Sequence, residues 1–199
     1  MHSTDPLQQQ WAGRRVLVTG ASGFIGRHLV DTLIPKGAQV RALRRSLGKP
    51  LHSGQLGYFQ ADLTQPESIK GACTGIDTVF HLAGHAHADA ASKGASDLHQ
   101  KITVEGTRGL LSEALRHRVK RFVLVSSAKA QGEDTVGCIG EDTPSLPTTD
   151  YGRSRFEAER LVLAAGREAS LETCVLRLPL VYGPGQKGNL LRMMEAIDR

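Results

Sequence analysis

Cysteine is scarce in this 199-residue chain: Cys73, Cys138 and Cys174 stand far apart, with no CxxC pair and no histidine at ligand spacing. That argues against a disulfide scaffold and a structural zinc site, and it fits a reducing, cytoplasmic compartment. Aromatic residues are also few, five Phe, three Tyr and one Trp, which is poor material for stacking bases. The 25 Lys+Arg exceed the 20 Asp+Glu by only five and are dispersed along the chain, so nucleic acid is not an expected partner. No apolar run approaches the ~20 residues that span a bilayer, and no membrane association is expected. The opening MHSTDPLQQQW lacks the basic and apolar segments of a signal peptide. The 22 glycines follow no three-residue period and proline is limited to eight residues, so a collagen-like chain is excluded. What remains, 40% hydrophobic and 23% charged residues, is the composition of a globular domain with enough apolar surface for a core.

Linkers, low-complexity tracts and internal repeats are absent between residues 11 and 190, so residues 1–12 read as a polar extension and 13–199 as one domain. Strands are predicted over Arg14–Thr19, Ala38–Leu43, Leu56–Gln60, Asp77–Leu82, Arg121–Ser126 and Thr173–Leu178, each a short run of β-branched or apolar residues. Between them lie helical patterns. Ile25, Leu29 and Leu33 recur every four residues before Pro35-Lys36-Gly37. Ile102, Gly106, Leu110 and Ala114 share one face of a helix over Asp97–His117, and Tyr151–Glu168 forms another. Strands alternating with helices imply an α/β fold, a doubly wound parallel sheet of six strands. Gly84–Ala95 and Gly132–Thr149 are the expected long loops, beyond the carboxyl ends of strands, where ligands bind in such sheets.

Gly20, Gly23 and Gly26 form G-x-x-G-x-x-G between the first strand and the first helix. In that position the first glycine permits the turn, the second lets backbone approach a pyrophosphate, and the third allows close packing of helix on strand. Free N–H groups at the helix start favour the same anion. The residue ending the second strand discriminates the two nicotinamide cofactors: an acid accepts from the ribose 2′-hydroxyl, whereas an arginine accommodates a 2′-phosphate. Arg44 and then Arg45 stand there, which favours NADP over NAD.

The string Thr19-Gly20-Ala21-Ser22-Gly23-Phe24-Ile25-Gly26 resembles the fingerprint of the extended short-chain dehydrogenase/reductase family, the NAD-dependent nucleotide-sugar epimerases and dehydratases. Five further segments match in order: Ala61-Asp62-Leu63, His81-Leu82-Ala83-Gly84, Val125-Ser126-Ser127-Ala128, Tyr151-Gly152-Arg153-Ser154-Arg155, and Leu176 to Gly185. The resemblance spans roughly residues 13–195 and implies a Rossmann fold. It implies that Asp62 and Leu63 contact adenine, and that Leu82, Ala83, Gly84, Ser126 and Pro179 line the cofactor together with Ser22, Phe24 and Ile25. It also implies hydride transfer at a sugar carbinol or carbonyl, with Tyr151 as acid/base, Ser127 holding the reacting oxygen and residue 155 clamping the nicotinamide ribose. Ser126 is expected to be a buried strand hydroxyl bonded to backbone.

A tyrosine, with its ordinary pKa of about 10, serves as a base near neutrality only beside positive charge. Tyr151 and Arg155 are i and i+4, on one helical face. Where the family carries lysine this chain has Arg155, which keeps the charge on a bulkier plane that does not release its proton. The family's usual helix asparagine is replaced by Thr103. Lys129 stands where dehydratases carry an acid, which argues against dehydration. His85 and His87, with only Asp89 nearby, are a poor metal set, and no metal is expected. The resemblance further implies a small C-terminal domain that closes over a nucleotide sugar. This sequence stops before it, at Ile197-Asp198-Arg199, so a truncated unit with exposed apolar surface is expected. Leu110, Leu111, Phe156 and Leu163 suit a homodimer built on the helices of residues 97–117 and 150–168, although burial against the sheet would account for part of that pattern. Three readings stay open: an epimerase or 4-keto reductase, a reductase of small carbonyls, and a non-catalytic cofactor-binding or interaction module.

Overall fold

The computed structural model describes residues 10–46, 56–85, 95–134, 137–186 and 189–197. Six strands form one sheet: β1 (Arg15–Thr19), β2 (Gln39–Arg44), β3 (Leu56–Gln60), β4 (Thr78–His81), β5 (Arg121–Ser127) and β6 (Glu172–Leu178). Their order is β3-β2-β1-β4-β5-β6 and every pairing is parallel. The fold is the doubly wound Rossmann sheet expected from the alternating pattern. Strand boundaries move by only a residue or so from the sequence-based expectation, with β2 running on to Arg44 and β5 to Ser127.

The helices are α1 (Phe24–Leu33), α2 (Pro66–Ile69), α3 (Ala95–Leu98), α4 (Gly106–Arg116), α5 (Asp150–Glu168) and α6 (Asn189–Ile197). No described helix is long and apolar enough to cross a membrane. α1 ends before Gly37, whose φ of +83° and N–H bond to the Ile34 carbonyl turn the chain toward β2. The expected helix over Asp97–His117 starts earlier, at α3, and it is not uniformly α-helical. A wide π-helical stretch, His99–Glu105, joins α3 to α4. Such insertions are rare and concentrate at functional sites, and this one meets the loop after β4 and the start of α5 through Thr103 and His99.

Both faces of the sheet are covered. Leu17, Val79, Phe122 and Leu124 point to one side, where Leu110, Ala114, Ala158 and Val162 of α4 and α5 meet them. Phe122 is fully buried, and burial of such a side chain stabilises by about 1.5–3 kcal/mol. On the other side Val16, Val18, Val40 and Ala42 pack against Val30 and Leu33 of α1. Trp11 joins this layer with its ring centroid 5.8 Å from that of Phe80. Trp11, within the segment expected to be a polar extension, is thus part of the packed layer. Residues 1–9 lie outside the described residues. Leu110 and Leu111, offered above for a dimer face, are instead 0% and 5% exposed in the chain's own core. Their i, i+1 placement on a helix wedged between sheet and neighbours buries both. Apolar side chains remain exposed beyond the carboxyl end of β6 and on α6, among them Leu180, Tyr182, Met193 and Ile197.

Candidate functional site

From β1 the chain winds outward to β2 and β3, then returns to place β4 on the other side. That reversal leaves a crevice at the carboxyl ends of β1 and β4. A cleft of about 1980 Å³ opens there, lined from the Gly20 turn across to Leu178–Val181.

The glycine turn is built so tightly that side chains are excluded. Gly20 has φ +68°, and a Cβ on it would lie 2.8 Å from the Ala83 nitrogen. A Cβ on Gly26 would fall 2.1 Å from the Gly20 carbonyl oxygen. The Gly23 N–H donates to that same carbonyl at 2.9 Å. Gly23 caps α1 with no side chain, and no acid lies in the first turn, so the positive helix end is left for an anion. These features fit a dinucleotide pyrophosphate, which Gly20, Ser22, Gly23, Phe24, Ile25 and Gly26 would border.

Across the mouth, Arg27 Nη2 donates to the Pro184 carbonyl at 3.2 Å and His28 Nε2 lies 3.1 Å from the same oxygen. Nothing in the sequence spacing marked this tie between α1 and the segment after β6. Arg44 ends β2 with its guanidinium carbon 5.1 Å from the Tyr58 ring centroid, and its buried Nη1 has no hydrogen-bond partner among the described residues. Arg45 is exposed. The Asp62 carboxylate accepts from the Thr64 N–H and hydroxyl; the backbone bond holds its pKa below the usual carboxylate range. Both bonds fall on one carboxylate oxygen, Oδ1. Leu63 is buried beneath Gly106, where a Cβ would approach the Leu63 Cβ to 2.9 Å.

Behind the cleft a chain of buried hydrogen bonds fixes the exit of β4. The Ala83 N–H donates to Thr19 Oγ1, which lies 2.6 Å from His81 Nδ1. His81 Nε2 lies 2.9 Å from Thr107 Oγ1, whose hydrogen goes to the Thr103 carbonyl. Thr107 can then only accept from His81, so the ring carries its hydrogen on Nε2 and Thr19 donates to Nδ1. Burial pushes the His81 pKa down to about 3, with the Arg155 charge adding to the effect. The neutral ring is a strut.

The two serines of β5 have different duties. The Ser126 hydroxyl is buried as expected, but it donates to the Glu159 carboxylate rather than to backbone. Glu159 is 1% exposed and receives Arg177 Nε and Nη2 in a forked pair, and Arg177 also bonds Gln131 and Ser145. The charge of Glu159 requires this partner and dictates where the Ser126 hydroxyl points. Ser127 is partly exposed in the cleft, and its hydroxyl oxygen accepts from the Lys129 N–H at 3.2 Å. Lys129 Nζ donates to the Glu133 carbonyl, so its ammonium is directed along its own loop.

α5 starts where Thr149 accepts from the Gly152 N–H. The preceding loop is clamped by Glu133, whose carboxylate accepts from Thr148 and Thr149. Those bonds, the Thr149 hydroxyl first, hold its pKa down at about 2. Tyr151 and Arg155 do share one face of α5, with the guanidinium carbon 5.2 Å from the Tyr151 ring centroid. Arg155 is 6% exposed. Its Nη1 donates to the Val125 carbonyl at 3.4 Å, while its Nε has no partner among the described residues. It fits only because residue 84 is glycine: a Cβ there would lie 2.5 Å from Nη2.

Thr103, 1% exposed, receives the His85 N–H at 3.4 Å. His99 is 5% exposed, packed edge-on between His85 at 5.0 Å and Tyr151 at 5.8 Å between centroids. Sequence reasoning missed His99, because its place beside the site depends on packing against His85 of the loop after β4 and Tyr151 of α5, contacts between distant elements. His87 and Asp89, the companions of His85 in the metal reading, lie outside the described residues. Burial pushes the Cys73 thiol up to about 12, so it is no nucleophile.

The profile of the NAD dependent epimerase/dehydratase family matches residues 16–198. UDP-glucose 4-epimerase of Vibrio cholerae is 31% identical over 191 residues, covering 94% of this chain and 57% of that protein. A 3 beta-hydroxysteroid dehydrogenase/Delta 5→4-isomerase of Mycobacterium tuberculosis is 34% identical over 194 residues, covering 92% of this chain and 51% of that one. The chain thus spans between half and three fifths of the length of these relatives. Among solved structures, MoeE5 in complex with UDP-glucuronic acid and NAD superimposes with a TM-score of 0.75 at 35% identity, covering 87% of this chain and 57% of MoeE5. With the glycine turn, the β1/β4 crevice and the ordered motifs around it, these matches place the chain in the NAD dependent epimerase/dehydratase family.

Proposed function

We propose that the chain is the cofactor-binding and proton-handling part of an NAD(P)-dependent enzyme that transfers hydride at a carbinol or carbonyl of a nucleotide sugar, as an epimerase or 4-keto reductase. The observation that carries the reading is the meeting in one cleft of the side-chain-free glycine turn with Ser127, Tyr151 and Arg155. A bound nicotinamide would supply the hydride acceptor or donor. The protein's own part is polar. Ser127 offers a hydroxyl to hold the reacting oxygen, and Tyr151 exchanges a proton with it. Arg155, fixed by Gly84 and Val125 with its guanidinium beside the Tyr151 ring, offers its remaining donors to a ribose. Arg44 at the end of β2, with no acid beside it, favours NADP through its charge on a 2′-phosphate.

Titration of the purified protein with NADPH and NADH, followed by nicotinamide fluorescence and then by turnover of UDP-sugars, tests this. Binding with a preference for NADPH that Arg44→Ser removes supports the cofactor assignment, and failure to bind either would overturn it. A 2-alkyl-3-oxoalkanoate reductase of Stenotrophomonas maltophilia, 32% identical over 186 residues, supports a second reading, reduction of small carbonyls; turnover of such a carbonyl with no sugar activity would select it. Binding without any turnover would leave a non-catalytic cofactor module. For self-association we assign α4 and α5 through Leu115 and Leu163, 39% and 41% exposed, in a cytoplasmic homodimer. Leu163→Asp is then expected to shift the mass seen by light scattering from dimer to monomer.

A further inference from the structure

Ser127 and Tyr151 come from different elements, β5 and α5, joined by the long loop of residues 132–149. To act on one reacting oxygen their two hydroxyls must be held together, and a misplacement of about 1 Å can cost about a hundredfold in rate. A flexible connection of this length leaves its ends free unless contacts close it. Here a circuit of contacts runs from Ser127 to the first turn of α5, and Glu133 stands at its centre.

Ser127 caps the 3-10 turn Ala128–Ala130: its oxygen accepts the Lys129 N–H at 3.2 Å, and its own hydrogen is left to donate to a substrate oxygen. The Lys129 carbonyl lies against the first turn of α5, where a Cβ on Gly152 would fall 2.5 Å from that oxygen and 3.0 Å from Glu133 Oε1. The turn after β5 and the start of α5 therefore meet at a distance that only glycine permits. Lys129 Nζ donates to the Glu133 carbonyl at 3.2 Å. The Glu133 carboxylate in turn reaches the far end of the loop. Its Oε2 accepts the Thr148 N–H at 2.8 Å and the Thr148 hydroxyl at 2.7 Å, and its Oε1 accepts the Thr149 hydroxyl at 2.5 Å. Bonds to an ionised acceptor are roughly twice as strong as neutral ones. With its hydrogen given to Glu133, Thr149 turns its oxygen to the Gly152 N–H at 3.1 Å, the cap from which α5 starts. Tyr151 lies within that capped turn. Gln131 holds the middle of the loop separately, through the Thr143 and Pro144 carbonyls, so loss of the Glu133 carboxylate releases the start of α5 rather than the whole loop.

We propose that Glu133 is a positioning residue for the Ser127–Tyr151 pair, seating the first turn of α5 on the turn after β5 so that both hydroxyls meet one reacting oxygen. This rests on the hydride-transfer reading above. Glu133 acts through Thr149 and exchanges no proton with substrate. The glycine turn that would border the pyrophosphate lies on β1 and α1 and makes no contact in this circuit, so cofactor affinity is independent of it.

Two measurements test this on the full chain. In the first, the three tyrosines are replaced by 3-fluorotyrosine and followed by fluorine NMR, with Tyr151→Phe assigning the Tyr151 signal. Glu133→Ala is expected to move or split that signal and to leave Tyr58, on β3, unchanged. Thr149→Val, which removes the hydroxyl but keeps Glu133, should do the same, and Thr149→Ser should restore the wild-type signal. Should Glu133→Ala fail to fold, the Thr149 pair decides the matter. In the second, single-turnover hydride transfer is read by nicotinamide absorbance. Glu133→Ala and Thr149→Val should slow it about tenfold or more with the cofactor Kd unchanged, and Glu133→Gln, which keeps one acceptor oxygen for Thr149, should recover part. A Tyr151 signal unmoved in both variants, a transfer rate unchanged in them, or a rate loss matched by loss of cofactor affinity overturns the proposal. Absence of turnover in wild type would fail the hydride-transfer reading alone, since the fluorine signals judge the seating of Tyr151 without it.

Discussion

Gly84→Ala tests the fit of Arg155 into this site most directly. The new methyl carbon would stand 2.5 Å from Nη2 and 2.8 Å from both Cζ and Nη1. Ordinary contact between such atoms is about 3.5 Å, so the guanidinium must retreat by about 1 Å. It has little room, being 6% exposed, bonded to the Val125 carbonyl and laid against the Tyr151 ring. Overpacking of this kind costs about 1–3 kcal/mol. A lysine at position 155 ends in a single ammonium with no guanidinium plane, so Gly84→Ala in an Arg155→Lys background should cost under about 0.5 kcal/mol. Urea unfolding of the four proteins gives the coupling, provided the slope m is unchanged. A coupling of at least about 1 kcal/mol is expected. Additivity within about 0.5 kcal/mol would refute the claim that Gly84 makes the space Arg155 occupies.

Two further outcomes follow from buried charge. Glu159→Ala strands the Arg177 guanidinium and the Ser126 hydroxyl, and is expected to cost about 3–5 kcal/mol in denaturant unfolding, whereas Glu159→Leu paired with Arg177→Met should recover much of that loss. His81 sits at about 3 in the fold against 6.5 ordinarily. The unfolded chain therefore binds a proton there that the folded chain does not. The contribution of the neutral ring is complete above pH 6.5 and is lost as pH falls toward 3. The slope of stability against pH in that window should decrease in His81→Asn, as measured by urea midpoints across the range.

Local sequence determined a great deal. Strand runs, helix periodicity and glycine punctuation are properties of neighbouring residues, and they placed all six strands with only small shifts at the ends. The Gly20-Gly23-Gly26 turn was legible because the demands on Gly23 and Gly26 are met within one strand, one turn and one helix, although the close approach of Gly20 to Ala83 comes from across the sheet. The i, i+4 spacing likewise put Tyr151 and Arg155 on one face before any fold was known. What the sequence left open depended on residues that meet only across the sheet. Gly84 makes room for Arg155 because β4 and α5 converge over one crevice. Ser126 serves Glu159 because α5 lies against β5, and the Arg177 fork from β6 completes that site. Leu110 and Leu111 looked available for a partner until both were found in the core, since a helix pattern shows which side chains share a face but not how many neighbours cover it. His99 joined the site only through its packing between His85 and Tyr151, which come from the loop after β4 and from α5. Backbone chemistry is written along the chain, whereas partners for buried polar groups are chosen by packing, and packing is decided only when distant elements are brought together.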